Sequence, residues 1–252
     1  MQFFEFDSLG STNAKAIELF QAGERGPFWV RADVQTAGRG RRGRDWSSPR
    51  GNLYASALYE FDGPPQDAAQ LSFVASVALA KTFESYALRQ APILKWPNDV
   101  LLGGAKISGI LLENIGGAVI VGIGVNLTSH PENTPYPATH LLAHITPEAL
   151  NDPEPIFTGA APFLALLAKH FDDGFTAFKT QGFAPIHSAW RARATNIPGP
   201  VTVNLDDETF RGTASDLRAD GALRVTLDNG TVRDVYAGDV FFGENANNAS
   251  SD

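Results

Sequence analysis

Residues 91–127 constrain the fold of this chain more than any other segment. They contain three apolar runs, "APILKW", "DVLLGGAKISGILLENI" and "GGAVIVGIGVNL", in which the pairs Gly103-Gly104 and Gly116-Gly117 interrupt the apolar pattern. Apolar runs of this length between turn residues are typical of strands, and two successive glycines suit the tight turn of a hairpin. The segment therefore predicts a β-meander, which requires an antiparallel sheet in the fold.

The flanking segments alternate between helix and strand patterns. The run from Ser11 to Gly23 predicts a helix, because Ser11 or Thr12 can cap it and Gly23 can end it. Hydrophobic spacing predicts further strands at residues 3–6, 27–35 and 51–60, and further helices at 65–89 and 159–193. Together these patterns predict an α+β fold with a mixed or antiparallel sheet packed against helices.

A change in composition near residue 197 divides the chain. We predict a large domain at residues 1–197, a small domain at 198–243, and a disordered polar tail at 244–252. The small domain is predicted to be a β-barrel, because "LDDE", "RADG" and "LDNG" separate its short strands in the manner of hairpin turns. Residues 129–158 are rich in proline and predict a surface crossing with one helical turn.

The composition excludes several classes of protein. The 252 residues include no cysteine, which excludes a disulfide framework, a thiolate metal site and a cysteine nucleophile. The formal net charge of −8 argues against a surface adapted to nucleic-acid phosphates. The N-terminus has no basic segment followed by an apolar one, and no apolar run is long enough to cross a membrane. We therefore expect a cytoplasmic globular protein.

The segment "AGRGRRGRDW", residues 37–46, concentrates arginine and glycine in an otherwise acidic chain. Gly38, Gly40 and Gly43 satisfy the dinucleotide-binding spacing G-x-G-x-x-G, but the turn-rich "RDWSSPRGN" follows where a helix is needed. One short basic run with few aromatic neighbours is also weak evidence for nucleic-acid binding. Two interpretations remain open from the spacing alone: a solvated loop, or a loop that clamps an anion with backbone N–H groups and guanidinium groups.

The end of the predicted strand in "LKWPNDV" is a second candidate site. Lys95 shares a strand face with Ile93, and Asn98 and Asp99 follow it at the same end of the sheet. A lysine here can simply extend its ammonium to solvent along the sheet edge. Lys106, at the start of the next strand, can reach the same region, and a site for two anionic reactants needs such cations.

A metal site is a further interpretation that the sequence does not favour. His140, His144 and Glu148 would share one face of a helix, but Pro137 and Pro147 flank that stretch and no further nitrogen or sulfur ligand is evident. We therefore predict no metal site built from protein side chains.

Four motifs in this order resemble the biotin protein ligases, the biotin–[acetyl-CoA-carboxylase] ligases. They are "STNAKA", "QTAGRGRRGRDWSSPRGNLYAS", "LKWPNDVLLGGAKISGILLE" and "VIVGIGVNL". The resemblance implies a catalytic domain with the fold shared by class II aminoacyl-tRNA synthetases and biotin/lipoate ligases, at residues 1–197. It also implies that residues 198–243 form an SH3-like C-terminal domain.

The resemblance also implies the activity. Members of this family join biotin to ATP, which gives biotinyl-5′-AMP and pyrophosphate, and then transfer biotin to a lysine of a biotin carboxyl carrier protein. Mg²⁺ is expected to accompany the ATP phosphates. The first motif begins at Ser11 and leaves no room for the N-terminal DNA-binding domain of the family's repressors, so no DNA binding is expected. A homodimer is one assembly compatible with the resemblance.

The resemblance assigns roles to individual residues. The expected catalytic residues are Lys95 and Arg41. The expected biotin-binding residues are Ser11, Thr12, Asn13, Gln35, Gly38, Arg39, Gly40, Arg41 and Lys95. The expected ATP- or adenylate-binding residues are Arg39, Arg41, Arg42, Trp46, Asn98, Lys106 and Asn126. Two alternative functions remain: a lipoate or octanoyl ligase or transferase of the related fold, and a nucleotide- or RNA-binding module.

Overall fold

The computed structural model describes residues 1–132, 134, 136–150 and 159–243. The strands are β1 (Gln2–Leu9), β2 (Phe28–Gln35), β3 (Leu53–Glu60), β4 (Ile93–Lys95), β5 (Asp99–Leu102), β6 (Ala105–Asn114), β7 (Ala118–Val125), β8 (Gly199–Asn204), β9 (Thr209–Leu217), β10 (Leu223–Thr226), β11 (Val232–Val235) and β12 (Asp239–Phe242). The helices are α1 (Thr12–Gln21), α2 (Pro65–Ala68), α3 (Leu71–Glu84), α4 (Pro147–Leu150), α5 (Ala160–Gln181) and α6 (Ala184–Arg191).

The first seven strands form one mixed sheet in the order β1-β2-β3-β7-β6-β5-β4. Only β1 and β2 pair in parallel, through the crossover helix α1, and the remaining pairs are antiparallel. The predicted meander is confirmed in β4 to β7. Gly103-Gly104 and Gly116-Gly117 have φ of +58° and +79°, and of +75° and +79°, which a two-residue hairpin of the primed type requires.

The start of α1 lies beside the start of the glycine- and arginine-rich segment. Ser11 is the extended residue before the helix, and its carbonyl accepts the first helical hydrogen bond, from Lys15 N at 3.1 Å. Beyond β2, the N–H groups of Thr36 and Ala37 donate to the carbonyls of Leu9 and Gly10. These bonds bring residues 37–46 against the N-terminus of α1 at one edge of the sheet.

Helices α3 and α5 cover one face of the large sheet, and α1 packs against the opposite face. Nearly every side chain of α3 is buried, and α5 packs beside it with Phe163, Leu164, Leu167 and Phe171 inside. Tyr59 of the sheet contacts Phe171 and Phe175 of α5, with ring centroids 5.0 and 4.5 Å apart. This apolar layer fixes the sheet as a rigid platform. No described helix is both long and apolar enough to cross a membrane.

Two predicted helices are shorter than the sequence pattern suggests. The helix expected at 65–89 is split into α2 and α3 and ends at Glu84, because the following backbone pairs elsewhere: Arg89 N donates to His144 O, and Thr146 N donates to Ala87 O. The helix expected at 159–193 is broken at Gly182, whose φ of +75° ends α5 before α6 begins.

The C-terminal strands form a second, antiparallel sheet in the order β11-β10-β9-β8-β12. The hairpins predicted at "LDDE", "RADG" and "LDNG" are confirmed as the turns after β8, β9 and β10. Strand pairing among the described residues leaves β11 and β12 at the edges, so the expected barrel is here a five-stranded sheet. The two sheets touch where Trp96 Nε1 donates to Gly221 O at 3.0 Å. The predicted disordered tail lies outside the described residues.

Candidate active site

An open cleft with a cavity volume of about 210 Å³ lies between the large sheet, residues 37–46 and the second sheet. Its wall includes the first turn of α1, the end of β2, the turn between β4 and β5, and the first two residues of β12. We call residues 37–46 the Gly/Arg loop. Most candidates named from the sequence border this one cleft, although they come from segments more than a hundred positions apart.

One end of the cleft is a chain of hydrogen bonds between neutral polar groups. Gln35 Oε1 accepts from the backbone N–H and the hydroxyl of Thr12, at 2.9 and 3.1 Å, and Gln35 Nε2 donates to Ser48 Oγ at 3.1 Å. The hydroxyl of buried Ser56 lies 2.7 Å from Thr12 Oγ1 and 2.5 Å from Asn13 Oδ1. We call Thr12, Asn13, Gln35, Ser48 and Ser56 the polar relay. Because each partner constrains the next, the polar relay presents fixed donors and acceptors to a ligand.

Two glycines of β7 make room for the side chains on the floor of the cleft. A Cβ on Gly122 would lie 2.3 Å from Asn13 Oδ1, and a Cβ on Gly124 would lie 2.4 Å from Trp46 Cε2. The Trp46 ring also lies against Gly109 of β6, where a Cβ would be 3.0 Å from Cζ3. The indole thus lies against a surface without side chains. The alternate glycines of "VGIGVN" are required because Gly122 leaves space for Asn13 and Gly124 leaves space for Trp46.

The Gly/Arg loop closes on itself before it crosses the cleft. Gly40 N donates to Arg44 O at 2.7 Å, and Trp46 N donates to Gly38 O at 3.0 Å. Gly38 is crowded, since a Cβ there would lie 2.5 Å from Trp46 O. A left-handed residue, Arg42 with φ of +54°, forms the tip. The loop therefore has a defined shape, and Arg39, Arg41 and Arg44 border the cleft.

Three arginines of this loop contact the second sheet. Arg44 Nη2 lies 2.9 Å from Asp239 Oδ1, and its Nη1 donates to the Tyr136 hydroxyl at 2.7 Å. Arg42 pairs with Asp206 at 2.8 Å and with Asp239 at 3.4 Å. Arg41 Nη1 donates to the carbonyl of Gly238 at 3.2 Å and to Asn98 Oδ1 at 3.3 Å. The second sheet thus takes part in building the cleft.

Two lysines of the large sheet complete the cationic end. Lys106 Nζ forms an ion pair with Asp99 Oδ1 at 2.6 Å. Lys95 Nζ lies 5.3 Å from the centre of the Tyr136 ring and 5.9 Å from that of Phe241. Among the described residues no carboxylate oxygen lies within 4.0 Å of it. Burial lowers the pKa of Lys95, although Asp99 opposes that effect.

The pKa values of Arg41 and Arg44 shift in opposite directions, according to whether the partners of the guanidinium group are neutral groups or a carboxylate. Burial lowers the pKa of Arg41, and Asp239 and Asp99 only partly oppose it. Burial acts in the same direction on Arg44, but Tyr136 and Asp239 outweigh it and raise the pKa of Arg44. Arg41 and Lys95 are therefore cations held mostly by neutral groups, which leaves their charge available to an anionic ligand.

The comparisons with known proteins agree with this arrangement. Residues 5–128 match the sequence model of the "Biotin/lipoate A/B protein ligase family", and residues 200–243 match that of the "Biotin protein ligase C terminal domain". A "Biotin--[acetyl-CoA-carboxylase] ligase" of Paracoccus denitrificans is 40% identical over 246 residues, covering 92% of this chain and 97% of that protein. The chain belongs to the biotin protein ligase family.

Two further comparisons extend over most of the chain. The "Bifunctional ligase/repressor BirA" of Bacillus subtilis (strain 168) is 32% identical over 94% of this chain and 73% of its own length. A structure of the biotin protein ligase from Aquifex aeolicus, in complex with biotin and ATP, superposes with a TM-score of 0.78 at 25% identity. That superposition covers 96% of this chain and 98% of the Aquifex chain. The fold is therefore shared along nearly the whole length of this chain.

Most of the site residues predicted from the sequence lie on this cleft. The predicted residues that line the cleft are Ser11, Thr12, Asn13, Gln35, Arg39, Gly40, Arg41, Trp46, Lys95, Asn98, Lys106 and Asn126. Gly38 and Arg42 do not line it: Gly38 supports the loop, and Arg42 points to the second sheet. Asn126 is buried, and its Nδ2 donates to Thr139 O, which anchors the segment that carries Tyr136.

The sequence reasoning missed several residues of the site. Tyr136 lies in the proline-rich crossing, and Asp239 lies in the C-terminal domain, so neither is near a motif that suggests its role. Ser56 and Glu113 lie inside two of the four motifs, but nothing in the neighbouring sequence indicates a role for them. His140 and His144 do not share a helical face with Glu148, because a 3₁₀ turn (Leu141–Ala143) lies between them. The described residues contain no group of three or more potential metal ligands among His, Cys, Asp and Glu.

Proposed function

We propose that this chain is an ATP-dependent biotin protein ligase. It joins biotin to ATP, with release of pyrophosphate, and then transfers biotin from biotinyl-5′-AMP to one lysine of a biotin carboxyl carrier protein. One observation supports this most directly: a single cleft has a neutral polar end at Thr12 and Gln35 and a cationic end at Lys95, Arg41 and Lys106. That division suits a ligand with an uncharged ureido head and a carboxylate tail that meets a triphosphate.

The cationic end addresses the main barrier of the first step. Two unit charges about 3.5 Å apart repel by about 5 kcal/mol at an effective dielectric of about 20. Lys95 and Arg41, whose charges have mainly neutral partners, can offset this repulsion between the biotin carboxylate and the α-phosphate. We assign these two residues as catalytic in that sense.

The polar relay addresses recognition of biotin. The hydroxyl of Ser11 and the groups of Thr12, Asn13 and Gln35 face the same part of the cleft. An acyl chain without a ureido ring would leave such groups unpaired, and an unpaired buried polar group costs about 1–3 kcal/mol. This argument favours biotin over lipoate or octanoate as the acid.

The second step needs alignment more than activation, since the leaving group of the acyl adenylate is already good. The indole of Trp46 forms part of the floor under the adenylate, and the loop residues Arg39 and Gly40 can cover it and keep water from it. Asn98, Lys106 and Asn126 border the same end and are proposed to contact the nucleotide. Arg42 is proposed to act through the loop and the second sheet.

We propose that Mg²⁺ enters with the ATP phosphates. The cleft offers the carboxylate of Asp99 and the amide oxygen of Asn98, which are oxygen ligands of the kind Mg²⁺ accepts. Both already have cationic partners, Lys106 and Arg41, so phosphate and water oxygens are expected to supply most of the coordination.

The proposed setting follows from this activity. The partner is the carrier domain of a biotin-dependent carboxylase, in the cytoplasm, and no DNA partner is proposed for a chain of net charge −8. Residues 1–197 form the catalytic domain and 198–243 a C-terminal domain that completes the cleft. A homodimer is a further proposal, and sedimentation equilibrium tests it.

Isotope exchange between ATP and pyrophosphate tests the activity. Exchange that requires biotin, together with transfer of biotin to a carrier domain, supports the proposal. Exchange with lipoate or octanoate alone would assign the chain to the related ligases, and no exchange with any acid would leave a nucleotide-binding module. Calorimetric titration with biotin and with lipoate, without ATP, checks the acid separately.

A further inference from the structure

Glu113 joins two parts of the cleft but is not part of its lining. It lies near the end of β6, and its two carboxylate oxygens accept from different elements. Oε2 accepts from Asn13 Nδ2 of α1 at 2.6 Å, and Oε1 accepts from Arg39 Nη2 of the Gly/Arg loop at 3.3 Å. One side chain therefore connects the start of α1, the large sheet and the loop.

The contact with Asn13 fixes which end of its amide faces the cleft. Asn13 is buried, and its side chain lies across Gly122 with Oδ1 toward the Ser56 hydroxyl. Because a carboxylate accepts and does not donate, Glu113 can bond only the NH₂ end of the amide. Ser56 is in turn hydrogen-bonded to Thr12, so the orientation set by Glu113 extends along the polar relay.

The contact with Arg39 holds the loop from the side opposite to Asp239. Arg42 and Arg44 pair with carboxylates of the second sheet, whereas Arg39 pairs with the large sheet. The Arg39 side chain is 49% exposed, so this pair alone is weak. Its effect is directional: it holds Arg39 beside Asn13 instead of leaving it free in solvent.

We infer that Glu113 is a positioning residue for the biotin end of the cleft. By binding Asn13 and Arg39 at once, it orients the polar relay and holds the Gly/Arg loop over it. This inference rests on the proposed function, and it assigns to Glu113 no contact with the reacting atoms.

Two substitutions separate the contacts. Glu113→Gln keeps an oxygen that can accept from Asn13 but places an NH₂ group toward Arg39, so the Michaelis constant for biotin should rise about threefold, as expected for loss of an exposed pair. Glu113→Ala removes both acceptors, and the rise should be about tenfold or more, as for loss of a charge-assisted hydrogen bond. Glu60→Gln, at the exposed end of β3, is the matched control.

The readouts distinguish positioning from general destabilisation. We expect the Michaelis constant for ATP to change by less than about twofold, while the dissociation constant for biotin, measured by calorimetry without ATP, rises by about the same factor as the Michaelis constant for biotin. Arg39→Gln should raise the Michaelis constant for biotin by a smaller factor in the Glu113→Gln background than in the wild-type protein, because the contact between the two residues is already lost there. If Glu113→Ala folds poorly, the isosteric Glu113→Gln and its pairing with Arg39→Gln still give the result.

Some outcomes would overturn the inference. Unchanged biotin affinity in the folded variants would do so, as would equal rises for biotin and ATP, or a lower unfolding temperature as the only effect. The wild-type exchange assay keeps the two claims apart. If wild-type protein shows no biotin-dependent exchange, the proposed function fails. If it does and Glu113→Gln matches Glu60→Gln, only the role of Glu113 fails.

Discussion

Replacing Lys95 by methionine should increase stability and abolish most of the activity. The Lys95 ammonium lies against the rings of Tyr136 and Phe241, and no carboxylate oxygen of the described residues is within 4.0 Å. Cation–π contacts return about 1–2 kcal/mol of the desolvation cost, and a methionine sulfur against the same rings recovers about 0.3–1.5 kcal/mol without that cost. We therefore expect the free energy of unfolding to rise by about 1 kcal/mol.

The same substitution removes the charge that is proposed to face the biotin carboxylate and the α-phosphate. An interaction of about 5 kcal/mol at 3.5 Å corresponds to a rate factor of about 10³–10⁴. Pyrophosphate exchange and single-turnover transfer from preformed adenylate should both fall by about that factor. Thermal unfolding should move upward by about 2–4 °C. Lys81→Met, on the exposed face of α3, is the control.

A pH series gives the sign of the stability effect. Burial lowers the pKa of Lys95 below its usual 10.5, so the unfolded chain binds more protons than the folded one as pH approaches that value. Wild-type stability relative to Lys95→Met should therefore improve as pH rises toward 10.5. A methionine variant that is destabilised by about 2 kcal/mol, or one that keeps most of its activity, would refute the reasoning.

Three further predictions concern the surroundings of the cleft. Gly122→Ala places a Cβ against Asn13 and should raise chiefly the Michaelis constant for biotin. Gly124→Ala displaces Trp46 and should raise chiefly the Michaelis constant for ATP. If each variant raised both Michaelis constants by the same factor in steady-state kinetics, this prediction would be contradicted. Asp239→Asn should lower the free energy of unfolding by about 1 kcal/mol and speed tryptic cleavage within residues 37–46, and an unchanged cleavage rate would argue against the restraint. Burial, and to a smaller extent the neighbouring His130 and His144, lowers the pKa of His140 from 6.5, so the free energy of unfolding should fall as pH drops below that value. His140→Gln should flatten this dependence of the unfolding free energy on pH. Parallel pH curves for the wild-type protein and the variant would exclude the effect.

Local sequence signals predicted the parts of the fold that local backbone chemistry decides. The paired glycines of the meander need positive φ, and the observed turns lie at those residues. Gly23, which follows the end of α1 and has a φ of +105°, terminates that helix for the same reason. Lys95 was recognisable because a long cation at the end of an apolar strand is unusual. These inferences need only a few consecutive residues.

The remaining features depend on contacts between distant segments. Arg44 meets Tyr136 and Asp239, which lie 92 and 195 positions away, and no pattern near Asp239 indicates that contact. Glu113 follows the helix start at Asn13 by 100 positions. The early end of α3 has the same cause, since residues 87–89 pair with 144–146. Tertiary pairing overrode the helical pattern there.

The partners of the four main cations suggest a division of labour in binding a triphosphate. Lys106 and Arg44 lie 2.6 and 2.9 Å from carboxylate oxygens of Asp99 and Asp239, so phosphate oxygens must compete with those carboxylates. Lys95 and Arg41 face aromatic rings and neutral oxygens, and burial lowers the pKa of both. A buried cation with neutral partners gains most when an anion arrives. Lys95 and Arg41 should therefore supply net charge, while Lys106 and Arg44 supply direction. On that basis, adding salt should weaken ATP binding less in Lys95→Met, which loses net positive charge, than in the double variant Lys106→Met/Asp99→Asn, which keeps it.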